Sequence, residues 1–84
     1  MKRAVVFGAE WCGACHSLLG KMDASSIEYE YVDVQEDYSK YDKYTKLSDV
    51  QALPTVFIMD GAELAEVLRG NIGIEKVRQC LNTD

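Results

Sequence analysis

Apolar positions along this chain come in short blocks whose spacing switches between that of strands and that of helices. Ala4 to Phe7 is an unbroken apolar run, partly β-branched, which suits a central strand covered on both faces. Gly8-Ala9-Glu10-Trp11 ends the run as a loop. Cys15, Leu18, Leu19 and Met22 then fall at i, i+3, i+4 and i+7, which predicts a helix with one apolar face. Gly20 inside that helix costs about 1 kcal/mol relative to alanine, and Asp23 to Ser26 closes it. Ile27 to Val34 reads as a second strand, with Ile27, Tyr29 and Tyr31 on one side and Glu28 and Glu30 on the other. Val32-Asp33-Val34 shifts that alternation and leaves the inward face undecided. Glu36 to Leu47 predicts a second helix whose Tyr38, Tyr41 and Tyr44 form an aromatic stripe expected in the core. Thr55 to Met59 is a third strand, and Asp60-Gly61 is a hairpin signal leading into a fourth, Glu63 to Arg69. Beyond Gly70-Asn71, Ile74, Val77 and Leu81 mark one face of a last helix.

The predicted order is therefore β-α-β-α-β-β-α. Strands alternating with helices give a parallel pair, and the Asp-Gly turn adds an antiparallel hairpin. The fold class is α/β, with a four-stranded mixed sheet flanked by helices. At 84 residues the chain, 1–84, is expected to form a single domain with a modest core. Its apolar content of 48% is that of a globular protein rather than a disordered one.

Nine basic residues against fourteen acidic ones give a net charge of −5, which opposes sequence-independent nucleic-acid binding. The acids gathered between Asp23 and Asp49, interleaved with Lys40, Lys43 and Lys46, read as a solvated face. Met1-Lys2-Arg3 begins like a signal peptide, but the apolar run that follows is shorter than a secretory segment requires. No stretch approaches the roughly 20 apolar residues of a membrane span. A cytoplasmic location, no membrane partner and a monomer are expected. In that reducing compartment three cysteines suit catalysis, metal binding or simple burial better than a structural disulfide framework.

Cys12 and Cys15 stand where the first strand hands over to the first helix. Unpaired N–H groups and the positive end of the helix dipole favour an anion there. The Cys12 thiolate is thus stabilised, its pKa falling from about 8.5 toward about 7 or below. A spacing of three puts both sulfurs one turn apart, within the usual Cα separation of roughly 4.4–6.8 Å for a disulfide. Exposure is expected to differ: Cys12 lies at the loop edge, open to a partner, and Cys15 belongs to the buried stripe with Leu18 and Leu19. One sulfur attacks and the other resolves the mixed disulfide. Gly13 and Ala14 leave the attacking sulfur accessible, and Trp11 offers a flat apolar wall to a docking substrate.

Alone, Cys-x-x-Cys also fits a zinc site, which requires further ligands, and only His16 and Cys80 are candidates. Cys12-Gly13-Ala14-Cys15-His16 is in addition the literal c-type haem attachment pattern. The lack of an export signal and the strand-loop-helix setting oppose haem. No metal site is expected, and His16 reads as a first-turn residue that raises the positive potential near Cys12. Cys80 reads as a small hydrophobe on the last helix. Pro54, the only proline, stands just before a strand and is compatible with a trans strand-start bond or with a cis bond.

Trp11-Cys12-Gly13-x-Cys15, then Val32-Asp33-Val34, Leu53-Pro54-Thr55, Asp60-Gly61 and Gly70, in that order, closely resemble the thioredoxins over nearly the whole chain. The resemblance implies a thioredoxin-like fold and a cis Pro54 packed on the cysteine pair. It also implies a backbone at Leu53 that pairs with the substrate strand, and a surface kept low by Gly70. The substrate platform it implies is Trp11, Gly13, Leu53, Pro54 and Gly70. The chain lacks the extra N-terminal strand and helix of full thioredoxins, and its length resembles that of glutaredoxins. Ala14 replaces the proline that both families usually carry between the cysteines. The family's buried aspartate falls at Val6 and its accompanying lysine near Tyr31, so deprotonation of Cys15 is left to water or Glu10.

The reading that follows is a dithiol–disulfide oxidoreductase needing no cofactor beyond the Cys12–Cys15 redox pair. Thioredoxin reductase is the expected electron donor. Protein disulfides such as that of ribonucleotide reductase are the expected acceptors. A glutathione-dependent glutaredoxin is the alternative. A non-catalytic module using the same cysteines for a metal or haem is a remote one.

Overall fold

A computed structural model describes residues 1–83. The elements follow the expected order: β1 (Lys2–Gly8), α1 (Gly13–Ala24), β2 (Tyr29–Asp33), α2 (Tyr38–Thr45), β3 (Thr55–Asp60), β4 (Glu63–Arg69) and α3 (Ile74–Asn82). They build one mixed sheet in the order β2-β1-β3-β4. β1 runs parallel to β2, with Val6 opposite Tyr31 and Gly8 opposite Asp33. It runs antiparallel to β3, with Phe7 opposite Thr55, and β3 pairs antiparallel with β4.

β1 is central, and its side chains divide between two apolar layers. Ala4 and Val6 face a cluster with Leu18 and Met22 of α1, Val56 and Ile58 of β3, and Val77 and Cys80 of α3. Val5 and Phe7 face the other side with Val32, Phe57 and Met59, covered by Tyr41 and Tyr44 of α2. Full burial of all four residues explains why β1 is continuously apolar rather than alternating. Phe7 is the pivot of the second layer, its ring edge-on to Phe57 at 4.7 Å and to Tyr44 at 5.6 Å.

The structure departs from the sequence reading at β2, which is Tyr29–Asp33 rather than Ile27 to Val34, at the start of α2 and at the hairpin. The alternation in β2 is not broken: Tyr29 and Tyr31 pack on the first layer, and Glu30 and Val32 face α2. Glu30 is tolerated there because its carboxylate accepts hydrogen bonds from Tyr44 Oη at 2.9 Å and Arg3 Nη1 at 3.0 Å. The second helix starts at Tyr38 rather than Glu36, because the Asp33 carboxylate accepts from the Gln35 and Glu36 amides, each at 2.9 Å, and holds them in a turn. The aromatic stripe is accordingly split. Tyr41 and Tyr44 enter the core, whereas Tyr38, in the first turn, is exposed. At the hairpin, Asp60 remains in the ladder opposite Glu63, and Gly61-Ala62 forms the two-residue loop with Gly61 at φ +65°.

No helix among the described residues is long and apolar enough to cross a membrane.

Candidate active site at the carboxyl end of the first strand

β1 delivers the chain to one end of the sheet at Gly8, and Ala9 tucks under the loop that follows. The Cys12 amide donates back to the Ala9 carbonyl at 3.0 Å, a tight turn that places Cys12 at the N-cap of α1. In that position its sulfur does what an N-cap oxygen ordinarily does. It accepts the otherwise unpaired amide of Cys15, at 3.2 Å. The two cysteines are joined as a disulfide with a Cα–Cα separation of 5.3 Å.

Exposure is less uneven than expected. Cys12 is only 8% exposed and Cys15 is fully buried, both packed with Ala9, Val34 and Leu53. Cys12 is therefore not open at a loop edge but reached through a narrow surface window. The order of access is as expected, with Cys12 outside and Cys15 beneath. What stands fully open is Trp11, 69% exposed, whose indole Nε1 donates to Gln35 Oε1 at 3.2 Å. Gln35 lies on the β2–α2 turn, and nothing in the sequence pattern pointed to it.

Pro54 arrives from the other side of β1. Phe7 pairs with Thr55, so the segment ahead of β3 crosses beside the dithiol, and the Leu53–Pro54 peptide is cis. Leu53 touches the cysteine cluster directly, and Thr55 Oγ1 donates across the proline to the Ala52 carbonyl at 2.5 Å. Gly70 follows Arg69, the partner of Thr55 in the ladder, and is exposed at φ +77°. Gly13 opens α1 in free space, with nothing within 4 Å of where a side chain would begin. Trp11, Gly13, Leu53, Pro54 and Gly70 thus share one end of the sheet with the disulfide.

His16 lies in the first turn of α1, but its Nε2–H is turned to the Glu10 carbonyl at 2.6 Å. Cys80 sits on α3 in the first core layer, apart from the Cys12–Cys15 cluster. The additional ligands a zinc site would require are therefore not assembled at the pair, and among the described residues no group of three His, Cys, Asp or Glu side chains is placed to hold a metal.

Around Cys15 the surroundings are shaped by a glycine. A Cβ on Gly8 would stand 3.0 Å from Tyr31 Cε1 and 3.2 Å from Cys15 Sγ, so the phenol ring and the buried sulfur both approach Gly8 too closely to leave room for a methyl group. Val6 belongs to the core layer and offers no ionisable group. Desolvation, and after it the charges of Asp33, Asp37 and Glu10, push the Tyr31 hydroxyl above its ordinary range. A glycine closing an apolar strand was the available sign of such a close approach; the identity of the group filling it was not legible.

Comparison with known proteins agrees with this arrangement. The glutaredoxin family model matches residues 4–62. A thioredoxin of Echinococcus granulosus is 38% identical over 81 residues, spanning 88% of this chain and 72% of that protein. Thioredoxin-3 of Dictyostelium discoideum is 32% identical over 73 residues, spanning 83% and 70%. Among solved structures, Fasciola hepatica thioredoxin superposes with a TM-score of 0.76 at 26% identity, over 95% of this chain and 77% of that one. Thioredoxin 1 of Thermosipho africanus gives 0.70 at 26% identity, over 93% and 88%. With its paired cysteines at the head of α1, the chain belongs to the thioredoxin/glutaredoxin family of thiol–disulfide oxidoreductases.

Proposed function

We propose that this protein reduces protein disulfides through Cys12-Gly13-Ala14-Cys15, with Cys12 attacking and Cys15 resolving. The observation that carries the reading is the unequal cover of the two sulfurs across one helical turn. Cys12 holds the N-cap of α1 at the surface window, and Cys15 is enclosed beneath it. In the reduced protein the Cys12 thiolate, favoured by the helix N-terminus, attacks one sulfur of the substrate disulfide. A mixed disulfide forms and the first substrate thiolate leaves and takes up a proton. Cys15 gives up its proton and attacks Cys12 Sγ, closing the intramolecular disulfide and releasing the second substrate thiol. Two electrons pass from the pair to the substrate, with one proton from Cys15 and one from solvent, which took it up when Cys12 ionised. The pair itself is the only redox group used.

Trp11, Gly13, Leu53, Pro54 and Gly70 form the docking platform in this reading. We assign a thioredoxin reductase as electron donor and cytoplasmic disulfide enzymes of the ribonucleotide reductase kind as acceptors. The Leu53-Pro54-Thr55 segment and the likeness to two thioredoxins support that choice. The glutaredoxin family match over residues 4–62 favours glutathione as the alternative donor. The test offers the oxidised protein glutathione, and separately NADPH with a thioredoxin reductase, and follows insulin disulfide reduction. Turnover is expected with the reductase. Turnover with glutathione alone would transfer the protein to the glutaredoxin reading, and none with either would end both.

A further inference from the structure

The charge of this protein is not spread over its surface. At the dithiol end stand Glu10 in the active-site loop, Asp33, Glu36 and Asp37 in the β2–α2 turn, and Asp49 ahead of Leu53. Arg69, at the end of β4, is the only one of the nine basic residues at this end, and it bonds the Asp49 backbone carbonyl at 2.6 Å. Five carboxylates against one guanidinium account for four of the five net negative charges of the chain.

The remaining basic residues lie along the middle and far end of the sheet. Lys2 pairs across from Asp60, Lys40 reaches Glu30, Arg78 reaches the carbonyl of Ser25, and Lys43 lines a cavity with Arg3 and Gly61. Every ion pair among the described residues lies there too: Met1–Asp60, Arg3–Glu30, Lys40–Glu30, Lys46–Asp42 and Arg78–Glu75. None of the five carboxylates around the dithiol is neutralised by a basic side chain of the described chain. In the same area two large aromatic side chains are exposed, Trp11 at 69% and Tyr38 at 61%, the Tyr38 ring tilted against that of Tyr41 at 6.0 Å. Aromatic faces attract guanidinium and ammonium groups.

We propose that the substrate segment taken by this site is basic: a protein disulfide flanked by lysine or arginine residues. The proposal rests on the disulfide-reducing role given above. The dithiol makes the site, and the uncompensated field around it decides which disulfides reach it. An unpaired rim of one sign steers oppositely charged partners and raises their on-rate. Steering of this kind is worth about tenfold or more at low ionic strength and is removed by salt.

The test uses two synthetic peptides with the same cystine loop, one flanked by lysines and the other by glutamates, and follows initial rates of reduction at 20 mM and 500 mM NaCl (on the order of the range over which screening changes). The lysine-flanked peptide is expected to react about tenfold faster at low salt, with the ratio falling to about twofold or less at high salt. Glu36→Gln combined with Asp49→Asn is expected to reduce the low-salt ratio to about threefold. Because the readout is a ratio within one preparation, a change in folded fraction does not imitate it. Equal rates at low salt, or a ratio that salt or the double substitution leaves intact, would overturn the proposal. If neither peptide is reduced while dithiothreitol reduces both, the oxidoreductase reading itself fails.

Discussion

Replacing Gly8 by alanine adds one methyl group at a point that three atoms already occupy. The new Cβ would meet Tyr31 Cε1 at 3.0 Å, Cys15 Cβ at 3.1 Å and Cys15 Sγ at 3.2 Å. Comfortable carbon contacts lie at about 3.5–4.0 Å, so the neighbours must retreat by roughly half an ångström. Tyr31 is half-buried and can yield. Cys15 is fully buried, carried on α1 and tied to Cys12, and cannot move without shifting the head of the helix. Overpacking of this kind costs about 1–3 kcal/mol. A domain of this length has only roughly 4–13 kcal/mol in total. With a urea dependence of about 1 kcal/mol per molar, the unfolding midpoint should fall by about 1–3 M. Gly20→Ala is the opposite case in the same chain: it lies within α1, with nothing within 4 Å of the added carbon. There alanine only removes the flexibility penalty and should raise the stability by about 0.5–1 kcal/mol. Urea titrations of both variants against the parent read the two signs directly. A Gly8→Ala midpoint equal to that of the parent would refute the close packing of Tyr31 and Cys15 over Gly8.

Cys12→Ser should abolish insulin reduction, whereas Cys15→Ser should trap a mixed disulfide visible by mass spectrometry; preferential alkylation of Cys15 over Cys12 at limiting reagent would reverse the roles. Cys80→Ala should leave turnover unchanged, since Cys80 is 9% exposed in the α1–α3 layer, and a Cys80-linked dimer under oxidant would contradict that placement. The Glu36 and Gln35 amides hold the Asp33 carboxyl below its usual range, so its contribution to stability is complete above the unfolded carboxyl pKa of about 3.9 and disappears as pH falls through the lower folded value. Between about pH 5 and pH 2 the parent should therefore lose stability more steeply than Asp33→Asn in urea titrations; parallel curves would remove Asp33 as the source.

Most of the architecture was legible because it rests on long-range patterns. Ala4 to Phe7 announced a doubly covered strand through continuity, and Cys15, Leu18 and Met22 announced α1 through period. What escaped depended on local competition. The start of α2 moved because one carboxylate, that of Asp33, binds two amides that a helix would otherwise have used. Tyr38 left the core for the same reason. At the site, the cysteines and Pro54 were identifiable by spacing and order, whereas Gln35 reaches Trp11, and Tyr31 reaches Gly8 beside Cys15, through tertiary folding alone. The exposure of Cys12 was overestimated because Val34 and Leu53, distant in sequence, close over it.

An acidic rim around a nucleophile that works as an anion presents an apparent conflict, since like charges oppose the thiolate. A hydrogen bond at contact range and screening by solvent separate the two influences. The Cys15 amide meets Cys12 Sγ at 3.2 Å in a nearly buried position, where a hydrogen bond and the head of α1 act with little screening. Glu36 and Asp49 are exposed side chains whose charges act through screening solvent. Glu10, Asp33 and Asp37 also act inward, since, after desolvation, they help to raise the pKa of the Tyr31 hydroxyl. Asp33 spends part of its field on the amides it binds. The contact-range stabilisation of the sulfur therefore survives the rim, while the rim still acts outward on an approaching partner whose own charges lie in the same solvent. One end of a four-stranded sheet can in this way hold a reactive anion and select a cationic substrate, because the first task is performed inside the helix cap and the second beyond it.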